Sequence, residues 1–306
     1  MKRSEKWHRE NEPLRLCREA GEGFSLWAEI GAAAGIFLFC RAIAILLAHF
    51  LSFLGNDFFG SADFAYLFTR LTADGIGIGV VLSFAVRFQR RSLRSLGFLK
   101  EKWFLFAPGG LAAGALFFAL PLSIGLAAGS FSYEGVPLKG SAGRIALFFL
   151  ALLCRALFEE TLFTGLFAVS AARKIPSLAA AAIASLLAAL PSLAGDGAGA
   201  IAVLNSILFH FLLGLFFFAV RGDLFGIGFF RAGWLFAQGC LFGLPVCGMG
   251  RMPSIFVFVP KGAKILSGGA FGAEGGLWVT LVLGAAIGFV FLFDRKRRKN
   301  RDLSSF

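Results

Sequence analysis

Residues 157–165 read LFEETLFTG and place two adjacent glutamates in the middle of a long apolar run. If that run crosses a membrane, an ionised carboxylate at its centre costs about 2.5–3.5 kcal/mol on insertion scales, so Glu159 and Glu160 become candidates for function. On an α-helix they project ~100° apart and are not expected to face one point. Arg155 lies four residues before Glu159, on the same helical face. An intrahelical pair that neutralises Glu159 is therefore the structural alternative to a functional site. It explains Glu160 less well, because the residue four before it is Ala156.

The rest of the chain settles the first condition. Of 306 residues 58% are hydrophobic and 39 are Phe, and the mean hydropathy is +0.78. Such a composition lies outside the soluble globular range and implies an all-α, polytopic integral membrane protein. Spanning ~30 Å of hydrocarbon takes about 20 apolar residues. Runs of that kind predict about eight helices, at 26–54, 64–88, 103–129, 142–170, 175–194, 200–220, 223–246 and 276–293. A polar N-terminal segment (1–25), a membrane domain (26–293) and a basic tail (294–306) are the expected divisions. The fifth run is Ala-rich, contains Pro191 and precedes AGDGAGA, so full and partial spans both fit it.

Charge follows topology. The net charge is +12, but the cations flank apolar runs instead of forming one basic face, which argues against a nucleic-acid partner. Arg87, Arg90, Arg91, Arg94, Lys100 and Lys102 follow the second run, Arg173 and Lys174 the fourth, Arg221 the sixth, and RKRRKNR from Arg295 the eighth. The opposite loops carry Asp57, Asp63, Glu134, Lys139, Asp196 and the longer 247–275 segment with Arg251, Lys261, Lys264 and Glu274. Both termini are thus expected in the cytoplasm, with the tail attracting anionic lipid headgroups. The first 22 residues, with Lys2, Arg3, Lys6, Arg9, Arg15 and Arg18 beside five glutamates, form a polar stretch too long for the n-region of a cleaved signal peptide. Five cysteines without C-x-x-C spacing indicate neither a disulfide frame nor a zinc knuckle.

LSGGAFGAEGG (266–276) is glycine-dense enough to fold back into the protein, and a plain surface loop fits equally well. Glycines 214, 226, 228, 233, 239 and 243 suit close helix contacts. No internal repeat of the transporter kind is visible. That counts against a small transporter relaying protons or ions through Glu159 and Glu160, the reading from a different functional class.

FEETLFTG resembles the first motif, E-E-x-x-x-R within EExxFRG, of the CAAX protease and bacteriocin-processing (CPBP, or ABI) family, matching at Glu159, Glu160, Phe163 and Gly165. RAGWLFAQGCLFGLPVCG (231–248) resembles the family's HAGWNFxQGxxFGxPVSG. SGGAFGAEGGLWVTLVL (267–283) resembles a GGxFGPEGGLxxT segment found in many bacterial members, and RRSLRSLGFLKEKW (90–103) its basic loop. The resemblance covers about 90–293 and implies a CAAX-protease-like core at about 142–246, in a bacterial inner membrane. Members are intramembrane endopeptidases in which the motif glutamate, two histidines and an asparagine organise a metal or an activated water. A divalent ion held by imidazoles lowers the pKa of its water, and a carboxylate takes the proton during attack.

This chain departs from the pattern at most chemical positions. Thr164 replaces the motif arginine; the second motif, F-x-x-x-H, falls on Ala188 and Ser192; the third, H-x-x-x-N, falls on Arg231 and Leu235. A serine hydroxyl is a poor substitute for imidazole, and a guanidinium repels a cation while offering five donors to carboxylates. The expectation is a proteolytically inactive homologue without a metal, in which Arg231, together with Arg155, pairs with Glu159 and Glu160 and a membrane peptide or protein is the ligand. An Arg231 that snorkels to the interface is the alternative. An active endopeptidase with a rearranged site, holding zinc or another divalent metal, would need Glu159, Glu160, His210 and His49 together, since His8 lies in the polar segment. Asn205, which matches an asparagine often present in members, is expected to tie helices together. Trp234 and Gln238 are expected to pack and line the site.

Overall fold

A segment in lipid must satisfy its own backbone polar groups, and a helix does so without a partner. The protein follows that rule almost throughout. Its computed structural model describes residues 11–21, 23–54, 62–101, 103–137, 142–219 and 222–303, with side chains except at 54, 62–66 and 294–303. The expectations for Lys2, Arg3, Lys6, His8, Arg9, Asp57, Asp63, Lys102, Lys139, Arg221 and the RKRRKNR side chains fall outside these limits.

A short helix α1 (Glu12–Glu19) precedes α2 (Leu26–Leu54), α3 (Ala62–Arg87) and α4 (Trp103–Ala127). Helix α5 (Ala142–Glu159) runs without a break into a π-helical stretch, Glu160–Ala168, and the last turn α6 (Val169–Ala171). Then come α7 (Ser177–Ala189), α8 (Ala200–Ala219) and α9 (Leu224–Phe236), the last ending in a second π-helical stretch, Ala237–Leu241. A single turn α10 (Lys264–Ser267) leads to α11 (Leu277–Leu303).

Six of these helical segments are long and apolar enough to cross a membrane, including Ser177–Ala194, where α7 passes into a 3-10 turn around Pro191. The 142–171 helix carries Arg144, Arg155, Glu159 and Glu160, and the apolar part of α11, Leu277–Phe293, is shorter. Among the described residues there are also two short strands, which sequence periodicity did not suggest. Strand β1 (Phe131–Gly135) pairs antiparallel with β2 (Val257–Pro260), Phe131 opposite Pro260, with an irregularity between Tyr133 and Gly135.

Helices α4 and α9 approach each other closely. Gly110 and Gly114, one turn apart on α4, lie against the α9 backbone at Gly226 and Phe230, and Gly233 of α9 lies against Leu111. A Cβ at these positions would fall on backbone atoms of the neighbour, so small residues set the approach. Gly243, by contrast, serves a left-handed turn after α9.

The loops on the α1 side are more than charged anchors. Arg91 is 2% exposed and donates to the carbonyls of Gly165 and Leu166, both at 3.0 Å, to Ser170 Oγ at 2.8 Å and to the Ser95 carbonyl at 2.7 Å. Glu29 accepts from Gln89 at 2.6 Å and from Arg173 at 3.2 Å. Helix α1 docks here, with Leu14 and Cys17 buried and Asn11 donating to the Phe217 carbonyl at 3.0 Å. The polar N-terminal segment is therefore packed against the membrane domain over its described part.

Candidate functional site

Glu159 ends α5 and Glu160 begins the π-helical stretch. A π-turn takes one more residue than an α-turn and is common at functional sites. Both carboxylates are buried, as is Arg231 on α9. The Arg231 guanidinium bonds Glu159 through Nη2 and Glu160 through Nη1, the latter at 3.1 Å. The two glutamates therefore do meet one group, as the expected pairing with Arg231 requires, although their ~100° separation on a helix argues against a shared point. A planar fork with donors on separate nitrogens bridges carboxylates that a helix splays apart.

Each glutamate has a second partner. Arg155 Nε donates to Glu159 Oε1 at 3.1 Å, and Thr164 Oγ1 donates to Glu160 Oε2 at 2.8 Å. Thr164, which stands where the motif has arginine, thus supports the carboxylate it cannot neutralise. Two arginines and two glutamates balance in charge, as burial requires. The snorkelling alternative for Arg231 does not hold, because the residue is 4% exposed and turned inward.

His210 on α8 joins the cluster. Its Nδ1 lies 2.8 Å from the Ser206 carbonyl, and its Nε2 contacts Arg231 Nη1. A carbonyl only accepts and a guanidinium only donates, so the ring is the neutral tautomer with the proton on Nδ1. His49 is exposed on α2, with Nδ1 2.8 Å from the Ile45 carbonyl of its own helix, and is not part of the cluster. The four-residue rearranged site is not assembled.

A cavity of about 30 Å³ opens beside the cluster, lined by Ser192, His210, Arg231, Trp234, Leu235 and Glu274 among others. Its size suits one or two waters. Ser192 Oγ donates to the Ala189 carbonyl at 2.6 Å, and Ala188 is buried on α7 away from the cavity lining. Leu235 brings no donor atom. The donor set thus does not fit a metal: both carboxylates are engaged by arginines and the His210 imidazole of the cluster faces a guanidinium. Among the described residues no group of three or more His, Cys, Asp or Glu is placed to hold an ion.

The wall opposite Arg231 comes from the glycine-rich segment, which folds into the protein. Phe271 and Ala273 are buried, and Gly272, at φ 99°, lies against the Pro245 carbonyl where a Cβ would collide. Asn205 donates to the carbonyls of Glu274 at 2.7 Å and Gly276 at 2.9 Å, and accepts from Thr280 at 2.7 Å. It ties α8 to this segment and to α11. Glu274 accepts from Trp234 Nε1 at 2.8 Å, and from the Cys247 backbone N–H at 3.2 Å and Sγ at 3.1 Å. Burial and the Glu274 carboxylate push the Cys247 thiol up to about 12. Trp234 also packs on Phe118 and Phe209, with ring centroids 5.0 and 4.9 Å apart. Gln238 is fully buried, donates to the Pro245 carbonyl at 2.5 Å and does not line the cavity.

The sequence reading treated Glu274 and Arg91 as loop charges and passed over Asp74. The acid within a glycine-dense segment was the available signal for Glu274, and an acid inside an apolar run was the signal for Asp74. Compared with family models, curated proteins and solved structures, the chain gives no match in any of the three.

Proposed function

We propose that this protein is a CAAX-protease-like membrane protein of the CPBP type that has lost metal-dependent proteolysis and acts by binding or regulating membrane peptides. One observation carries the reading: the guanidinium of Arg231 is engaged with both carboxylates that the family motif presents. A permanent cation at that point excludes a metal ion by repulsion, and carboxylates held by arginine are unavailable to take a proton from water. The convergence of Ser192, Arg231 and Leu235 on one cavity supports a common origin with a family site, since these positions belong to two separate motifs.

The same reading counts eight spans, adding the 142–171 helix and the apolar part of α11 to the six long ones. It places the core at about 142–246 and both termini on the cytoplasmic side of a bacterial inner membrane, among lipid and away from nucleic acid. A divalent metal would belong only to a rearranged site.

The test is metal analysis of the detergent-purified chain together with cleavage assays on labelled membrane peptides. No stoichiometric divalent metal and no cleavage are expected. Metal-dependent cleavage by the wild type that disappears in Glu159→Gln would overturn the proposal.

A further inference from the structure

Asp74 lies within the α3 span and is 6% exposed. Its Oδ2 is buried and, among the described residues, has no hydrogen-bond partner. A cavity of about 10 Å³ adjoins it, lined by Asp74, Arg70, Phe148, Leu152, Arg155 and Met252 among others, and is large enough for one water at most. Arg155 links this cavity to the central cluster, since its Nε also binds Glu159.

An ionised carboxylate with an unmet oxygen at this depth is costly, and a proton removes that cost. Nearby arginines favour the ionised form. The groups around Asp74 are Arg70 on its own helix, Arg41 and Cys40 on α2, and Arg155, Cys154 and Glu159 on α5. The other elements packed on α3 bring charges that are already engaged: Glu160 by Arg231 and Thr164, and Arg94 by Glu12 and Glu101. The loop that supplies Met252 carries Arg251, which is exposed.

We propose that Asp74 is an intramembrane proton-binding site whose occupancy sets how Arg155 is shared between two carboxylates. With the proton bound, Arg155 stays with Glu159. With the proton released, Arg155 is drawn toward Asp74 and its hold on Glu159 loosens. The site stands apart from the peptide-binding reading and survives that reading's failure.

Infrared difference spectroscopy on the full chain in liposomes, cycled between acidic and alkaline buffer, tests it. The wild type should give a protonated-carboxyl band that titrates reversibly. That band should be lost in Asp74→Asn, kept in Glu274→Gln, and moved in frequency in Asp74→Glu, which keeps a carboxyl in place should Asp74→Asn fold poorly. A wild-type spectrum without such a band, or one that Asp74→Asn and Asp74→Glu both leave unchanged, overturns the proposal.

Discussion

The guanidinium of Arg231 donates to a carboxylate oxygen of Glu160 at 3.1 Å, although the two residues lie 71 positions apart in the chain. This contact joins α9 to the π-helical stretch at the centre of the bundle, and its partners set what each substitution there should do.

Removing one member of a buried ionic group leaves uncompensated charge, at a cost of about 3–5 kcal/mol. Arg231→Ala should therefore lower unfolding stability in mild detergent by about that much. Arg231→Met combined with Glu160→Gln should recover most of it, because Arg155 and Glu159 remain as a balanced pair. An Arg231→Ala protein as stable as wild type would remove the basis for this account.

Arg91 supplies donors to two carbonyls of the 160–168 stretch, Gly165 and Leu166. Each buried acceptor left unmet costs about 1–3 kcal/mol, so Arg91→Ala should lose more than about 3 kcal/mol in all. Arg91→Lys should rescue little, since an ammonium cannot reproduce the fork. Thermal unfolding of the three proteins in one detergent makes the comparison; equal midpoints would contradict it.

Two glycines five residues apart on α4 should respond differently. A Cβ at Gly114 meets the Phe230 backbone of α9, whereas one at Gly109 meets nothing within 4 Å. Gly114→Ala should cost about 1–3 kcal/mol by overpacking. Gly109→Ala should be neutral, or stabilising by up to about 1 kcal/mol through helix propensity. Paired denaturation curves would expose any failure of this ordering.

Cys247 should be an unreactive thiol near neutrality. Burial and Glu274 hold its pKa at about 12, and the thiolate is the reactive form. In a variant with the other four cysteines replaced by alanine, maleimide labelling should be slow at neutral pH and accelerate only in strong alkali. Glu274→Gln should bring the acceleration to lower pH. Because the folded thiol is shifted upward, the stability it contributes is complete below the ordinary thiol pKa and is lost as pH rises toward about 12. Rapid labelling of this folded single-cysteine variant at neutral pH would contradict the assignment.

Much of the architecture was legible one residue after another. The helices observed at 26–54, 62–87, 103–127, 142–171, 177–194, 200–219, 224–241 and 277–303 follow the apolar runs closely, because lipid permits an apolar segment little besides a helix. The pairing of Arg231 with the glutamates was expected too, because the resemblance sets Arg231 at a motif histidine position, where a guanidinium offers donors to carboxylates. The buried roles of Arg91 and Glu274 were not. Each reads in sequence as a loop charge, and only the path of the loop shows that it points inward.

The amino-acid sequence by itself determined that this is a helical chain of membrane-protein composition with two adjacent glutamates in an apolar run, and it led to the expectation of arginine as their partner, since hydropathy and charge are properties of residues. Tertiary structure alone decided that one guanidinium serves both glutamates, that His210 adjoins it while His49 does not, and that Asp74 keeps an oxygen without a partner. Those outcomes depend on the rotation of each helix about its axis and on where an α-turn gives way to a π-turn. Packing between segments far apart in sequence fixes both.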